Sequence, residues 1–226
     1  MYDESDGMSD DMEIRLITVS REFGAGGSEL AAELGRRLDW PVVDQDIVHR
    51  VAERLRLDDD TVKHFDEHPP SLLARIATVL VVPQPDIYSF PAEGDLPSHD
   101  SIAQATRAVI EEVGASPPII IVGHGAQSIF CGRSDVLHVR LVAPMNVRLK
   151  RVMHRMNVDA AFAGTLIHRA DRDRQAYVQR YFHRDWRNDQ LYDLQINTGH
   201  VTIAEAVNLV EQVVRGRSAV AATDSR

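Results

Sequence analysis

Short apolar runs alternate along this chain with longer stretches in which apolar positions recur every three or four residues. That alternation predicts parallel βαβ units, with helices packed on both faces of one sheet. The strands read as 14–19, 41–43, 118–122, 136–142 and 192–196. The first, carrying Ile14, Leu16, Ile17 and Val19, runs into a glycine cluster at Gly24, Gly26 and Gly27. Ser28 then stands as N-cap of a helix whose Leu30, Leu34 and Leu38 share a face. Helix 101–113 presents Ile102, Ala105, Val109 and Val113 and stops at Gly114; helix 145–156 follows Pro144. A last helix, about 202–215, aligns Ile203, Ala206, Val207, Val210 and Val214.

Between the second and third strands, about 57–100, the composition changes. Asp58, Asp59 and Asp60 precede Asp66-Glu67-His68-Pro69-Pro70, and prolines recur from Pro83 to Pro97. A structureless loop of that length does not suit a compact domain, so the segment is expected to form a helical insert with a mobile connection. The expected organisation is an acidic flexible leader over 1–13, one domain over 14–215 and a flexible tail over 216–226.

At 226 residues the chain suits one well-buried α/β domain with an insert. A net charge of −9 argues against a general nucleic-acid or anionic-membrane surface, so phosphate binding would have to use local arginines. The lone Cys131 excludes an intramolecular disulfide and reads as a packed or incidental thiol. No apolar run reaches the roughly 18 residues of a membrane span, and the acidic start lacks the regions of a signal peptide. The cytoplasm is the default expectation. His64, His68, His99, His138, His154, His168, His183 and His200 show no zinc-ligand spacing.

The chemistry centres on Arg21-Glu22-Phe23-Gly24-Ala25-Gly26-Gly27-Ser28. Backbone N–H groups at a glycine-rich helix start bind phosphate whatever the side chains do. The usual phosphate loop is Gly-x-x-x-x-Gly-Lys-Ser/Thr. Here Arg21 stands at the first glycine, Gly27 stands at the lysine, and Ser28 keeps the hydroxyl that reaches magnesium. Arg21 can supply the missing cation, because guanidinium is always charged and grips two oxygens at once. The alternative reading of the glycines is a tight turn.

Arg148, Arg151 and Arg155 are spaced to share one helical face, and Arg169, Arg172 and Arg174 follow. They either meet an anionic ligand or pair with carboxylates such as Asp171 and Asp173. Phosphoryl transfer uses several cations and a metal to neutralise the transferred group.

Over roughly 14–215, SREFGAGGSELA, PVVDQDIV, IIIVGHGA, the Pro144–Arg155 helix, DRDRQAY and YDLQINT resemble, in order, the cytidylate kinase-like proteins. These form a branch of the nucleoside monophosphate kinases. The resemblance implies a doubly wound α/β P-loop NTPase fold: a five-stranded parallel sheet with helices on both faces, a nucleoside-monophosphate-binding type of insert at about 57–100 and a short lid at about 156–185. It also implies transfer of the ATP γ-phosphate to a small phosphorylated acceptor, of (deoxy)cytidylate type or related, with ATP and Mg²⁺.

Carried over by position, Gly24, Ala25, Gly26, Gly27 and Ser28 would hold the donor phosphates, with Ser28 on Mg²⁺. Arg151, Asn197 and Thr198 would lie near the donor base. Arg155, Arg172 and Arg174 would act on the transferring group, the last two from the lid. Asp44, Arg50 and His124 would serve the acceptor. Asp66 and Glu67 would meet acceptor or metal, or cap a helix, and Trp186 would serve packing.

Three departures matter. The true cytidylate kinases have the loop lysine, whereas this branch and this chain have a Gly-Gly pair; Val122-Gly123-His124-Gly125 replaces the Asp-Gly-Arg-Asp of the true kinases and the Gly-Arg-Gly of this branch; and the acid that would orient magnesium there is missing. A histidine of ordinary pKa is partly charged at neutral pH, so His124 would grip an acceptor phosphate better as pH falls. The alternatives are a nucleotide-binding regulatory or interaction protein with little turnover, or a kinase of another small acceptor.

Overall fold

A computed structural model describes residues 13–44, 46–55 and 98–224. The acidic leader, most of the expected insert, Asp66 and Glu67 lie outside these residues. In chain order the elements are β1 (Leu16–Arg21), α1 (Gly27–Leu38), β2 (Val42–Val43), α2 (Asp46–Arg54), α3 (His99–Val113), β3 (Ile119–Val122) and α4 (Ala126–Ile129). There follow β4 (Val136–Val142), α5 (Met145–Met156), α6 (Ala160–Phe182), a 3-10 turn (Asp189–Leu191), β5 (Leu194–Asn197) and α7 (Ile203–Asp224).

The strands form one five-stranded sheet in the order β2-β3-β1-β4-β5, with every pair parallel. β1, β3 and β4 occupy the middle, and their near-continuous apolar runs follow from burial on both faces. Alternation along β1 divides the core. Ile17 and Val19 join Leu30, Leu34, Ala206, Val207 and Val210 beneath α1 and α7. Leu16 joins Ile47, Val51, Ile102, Ile110, Tyr177 and Val178 beneath α2, α3 and the end of α6.

A third cluster, Phe23, Val152, Ala163, Leu166 and Ile167, locks α5 and α6 onto the loop that follows β1. The stretch expected as a lid is mostly α6, a continuous 23-residue helix whose Asp159 side chain caps its start at Phe162 N. α7 continues to Asp224 through residues read from sequence as a tail. Among the described residues no helix is long and apolar enough to cross a membrane.

β1 lies between β3 and β4, while the chain leaving it crosses to β2 beyond β3. The loops after β1 and β3 therefore meet at the carboxyl end of the sheet, where doubly wound folds bind ligands. Gly123 N–H donates to Val19 O at 3.0 Å and ties the two together.

Candidate active site

The loop after β1 turns through left-handed backbone at Gly24 (φ +83) and Gly26 (φ +94) before α1 begins at Gly27. Side chains rarely adopt such angles, which is why glycine occupies both positions. Gly26 is the N-cap and makes no side-chain cap bond, so Ser28 lies within the first turn and is not the cap read from sequence. Its hydroxyl is free for another task and donates to Asp44 Oδ2 at 2.8 Å.

The loop is held from several sides. Phe23 N–H donates to Asp171 Oδ1 at 2.8 Å, and Asp171 Oδ2 accepts from Arg148 Nη1 at 2.5 Å. Glu22 Oε2 accepts from Ala143 N–H at 3.1 Å and lies 3.5 Å from Arg148 Nε. Thr198 Oγ1 donates to Ala25 O at 2.8 Å, while Arg151 donates to Thr198 Oγ1 and to Thr198 O, each at 2.8 Å.

The three helical arginines thus divide their work. Arg148 is a buried structural cation paired to carboxylates. Arg151 fixes the turn after β5 against the loop. Arg155 is exposed at the rim, 3.3 Å from Glu29 and over the Phe23 ring at 5.6 Å.

A cleft of about 320 Å³ opens over the loop, lined by Gly24, Gly26, Gly27, Ser28, Arg21, Asp44, Arg155 and Arg174 among others. Arg21 Nη2 is 3.4 Å from Asp44 Oδ1, and Arg174 Nη1 donates to Arg21 O at 3.2 Å. Burial, and next the neighbouring Arg21 charge, push the Arg174 guanidinium down to about 9, so it remains protonated at neutral pH. Burial also lowers Arg21, opposed by the charges of Asp44 and Glu29. Two desolvated cations that repel one another make this cleft favourable for an anion. Ser28 and Asp44 supply hydroxyl and carboxylate oxygens side by side, the hard ligands that suit Mg²⁺.

A more open groove of about 700 Å³ continues past Gly24 and Gly26, lined by Lys150, Arg151, His154, Arg155 and Ile203.

Not every residue expected at the site comes to it. Arg172 points outward, 76% exposed beside Asp173, because α6 turns only one face inward and Asp171 and Arg174 occupy it. Arg50 is exposed on α2. Asn197 is exposed and its side chain accepts from Gly199 N–H, closing the turn after β5. Asp44, expected on the acceptor side, meets the phosphate loop through Ser28 and Arg21.

The turn after β3 has positive φ at Gly123 (+80), His124 (+56) and Gly125 (+75) in succession. His124 Nε2–H donates to Asp44 O at 3.1 Å, which leaves Nδ1 as an acceptor, buried and without a partner. Burial first, and then the Arg21 charge, push the imidazole down to about 4. His124 is therefore neutral near pH 7 in this environment, a burial effect that sequence carries no measure of. It shares a small cavity of about 20 Å³ with Arg174, Tyr177, Gln127 and Trp186, and the buried Tyr177 hydroxyl also lacks a partner. Trp186 serves packing, as expected: it is buried, its Nε1 donates to Ser20 Oγ at 2.9 Å, and Arg140 lies over its ring at 5.0 Å. Cys131 is exposed and accepts from Arg184 Nη1 at 3.1 Å.

The residue that sequence reading undervalued is Asp171. The sequence offered it as a carboxylate partner for the arginines, which it is, but only the fold shows that it also holds Phe23 of the phosphate loop.

The sheet order, the loop after β1 and the helix that starts on it define a P-loop kinase fold. Residues 16–200 match the cytidylate kinase-like family, and the chain belongs to that family. It is 33% identical over 110 residues to a cytidylate kinase of Desulfurococcus amylolyticus, the match covering 48% of this chain and 58% of that protein. It is 29% identical over 120 residues to a uronate isomerase of Corynebacterium glutamicum, covering 53% of this chain and 23% of that protein. The chain thus spans a little over half of the cytidylate kinase and about a quarter of the uronate isomerase.

Among solved structures, an uncharacterized protein from Eubacterium ventriosum superposes with a TM-score of 0.63 at 19% identity, covering 88% of this chain and 98% of that one. Shikimate kinase from Bacteroides thetaiotaomicron gives 0.50 at 14% identity, covering 90% and 99%. These likenesses bear on the fold.

Proposed function

We propose that this chain is an ATP-dependent phosphotransferase that moves the γ-phosphoryl group to a small acceptor of (deoxy)cytidylate type. The carrying observation is that the glycine-rich helix start, the Ser28–Asp44 oxygen pair and the Arg21, Arg155 and Arg174 side chains line one cleft.

In this reading the backbone from Gly24 through Ala25, Gly26 and Gly27 to Ser28 holds the donor phosphates. Arg151 lines the groove for the donor nucleoside and is fixed by Thr198, with Asn197 closing the turn after β5. Mg²⁺ at Ser28 and Asp44 would supply further neutralisation of phosphate charge. Arg155 and Arg174 neutralise the transferring group, while Arg172 faces away from the cleft. Asp44 and His124 edge the acceptor side, while Arg50 stays exposed on α2 away from the cleft lining. An acceptor oxygen bonds to the γ-phosphorus as the bond to the β,γ-bridging oxygen breaks and ADP leaves. A phosphate-monoester oxygen is already ionised near pH 7, with its second pKa at about 6, so that acceptor requires no base.

One observation favours a second reading. Neutral His124, with an unpartnered Nδ1 lone pair, suits an acceptor that offers a hydrogen-bond donor such as a hydroxyl. A hydroxyl acceptor releases a proton on transfer, and Asp44 is a carboxylate on the cleft that could take it.

The deciding experiment incubates the purified full chain with ATP–Mg²⁺ and a panel of mononucleotides and polyhydroxy acids, following label from the γ-phosphate. Transfer to CMP or dCMP supports the first reading, and transfer only to hydroxyl acceptors the second. ATP binding without transfer to any acceptor would instead favour a nucleotide-responsive interaction module.

A further inference from the structure

Gly27 does not share the backbone requirement of Gly24 and Gly26. It is the first residue of α1, and no left-handed angle forces glycine there. Its constraint is space. A Cβ on Gly27 would stand 2.7 Å from Arg21 Cγ, 2.8 Å from Arg21 Cβ and 3.1 Å from Arg21 Cδ. The first two distances are shorter than real carbon contacts allow, and those atoms belong to the root of the side chain, which cannot swing clear while its tip stays in place.

The tip is bounded at Gly123, whose φ of +80 already favours glycine: a Cβ there would lie 2.0 Å from Arg21 Nη1, and Nη2 meets Asp44 Oδ1 at 3.4 Å. Arg21 therefore runs in a slot walled by two glycines, ending at the cleft beside Ser28, with its side chain only 18% exposed.

Set against the usual phosphate loop, the two departures fit one another. The loop normally has glycine first and lysine seventh; here arginine is first and glycine is seventh. The stem of Arg21 lies where a side chain from position 27 would begin.

We infer that Arg21 and Gly27 are one coupled exchange: the phosphate-binding cation has moved from the seventh position of the loop to the first, and Gly27 and Gly123 keep its slot open. Arg21 then touches the donor phosphates, and the two glycines are positioning residues. The inference rests on the reading of this loop as the donor-phosphate site.

A double-mutant cycle on the affinity for a non-hydrolysable ATP analogue with Mg²⁺ tests it. Arg21→Gly removes the cation and should weaken binding about tenfold or more, as expected for contacts to a charged group. Gly27→Lys adds a cation yet should also weaken binding, because its Cβ displaces Arg21. The double variant Arg21→Gly/Gly27→Lys, which reads Gly-Glu-Phe-Gly-Ala-Gly-Lys-Ser, should recover to within about threefold of the unaltered protein.

Should Gly27→Lys fail to fold, Gly27→Ala carries the same Cβ. It should weaken binding when Arg21 is present and be silent in the Arg21→Gly background. Losses that simply multiply in the double variants, or a Gly27→Lys protein that binds as well as the unaltered one, would overturn the coupling. Failure of the unaltered chain to bind the analogue would overturn the donor-site reading together with it, whereas binding with an additive cycle would overturn the exchange alone.

Discussion

In the loop after β1 the backbone is fastened from three directions: Asp171 takes the Phe23 N–H, Thr198 reaches Ala25 O, and Gly123 N–H ties the adjacent strand end to Val19. A few ångströms across the sheet end, the turn after β3 takes three successive positive-φ residues and leaves His124 Nδ1 bare, with the Tyr177 hydroxyl also unpartnered beside the same small cavity. Buried polar groups are ordinarily paired, so the contrast carries information. The first region has its backbone groups paired by Asp171, Thr198 and Gly123. The second has hydrogen-bonding capacity left over for a ligand group or a water. In the proposed reading the first would hold the donor phosphates and the second would face the acceptor.

The largest expected effect breaks the fastened side. Asp171→Ala would strand Arg148 and Arg174 and leave Phe23 N–H without its acceptor. Removing one member of a buried charge network costs about 3–5 kcal/mol, to be read from urea unfolding. Asp171→Asn, which keeps an acceptor oxygen for Phe23, should lose less. A cost below about 1 kcal/mol for the alanine variant would show that the loop stands without this anchor.

The next effect sharpens the acceptor side. His124 is held down to about 4 in the folded state against 6.5 ordinarily. Between those values the unfolded chain binds the extra proton, so the His124 contribution to stability is intact above pH 6.5 and declines as pH falls toward about 4. The loss is on the order of 3 kcal/mol over that window. His138 is lowered in the same direction, also by burial, so the comparison must be made against a variant. His124→Asn tolerates the left-handed backbone and does not titrate. Its unfolding free energy should fall less between pH 7 and 5 than that of the unaltered protein. Parallel pH profiles would mean that His124 is not buried neutral.

The smallest effects separate two exposed arginines. Arg155 edges the cleft and Arg172 faces away from it. Arg172 makes an exposed ion pair worth about 1 kcal/mol or less, and Arg155 adds to its exposed pair a cation–π contact with Phe23 of about 0.5–1 kcal/mol, so neither alanine variant should alter the unfolding midpoint appreciably. Arg155→Ala should weaken ATP–Mg²⁺ binding about tenfold, in line with loss of one charged contact, while Arg172→Ala should leave it within about twofold. A larger loss at Arg172 than at Arg155 would mean that α6 moves when ligand arrives and brings its outer arginine inward.

How much of this was legible depends on whether the signal was local. β1, β3 and β4 are long apolar runs bounded by turns, and the chain alone placed them within a residue or two. β5 drifted, because Tyr192 resembles a strand residue but instead donates its hydroxyl to Trp186 O beside the 3-10 turn. The glycine-rich loop was readable because its backbone requirement is written in residue type. The division among Arg148, Arg151 and Arg155 was not. Helical spacing sets which face they share, whereas Asp171, Thr198 and Glu29, far away in sequence, decide what each one meets. Burial of His124 and the meeting of Asp44 with Ser28 likewise come from packing β2 beside β3, and no local pattern encodes either.

The account stands on donor phosphates resting on the amides at the start of α1. An ¹H–¹⁵N NMR titration of the full chain with a non-hydrolysable ATP analogue and Mg²⁺ measures this directly. The largest shifts should fall at Gly24, Gly26, Gly27 and Ser28, with the Arg21 side-chain resonance moving alongside them. Saturable binding that shifts other regions and leaves those four amides in place would contradict it.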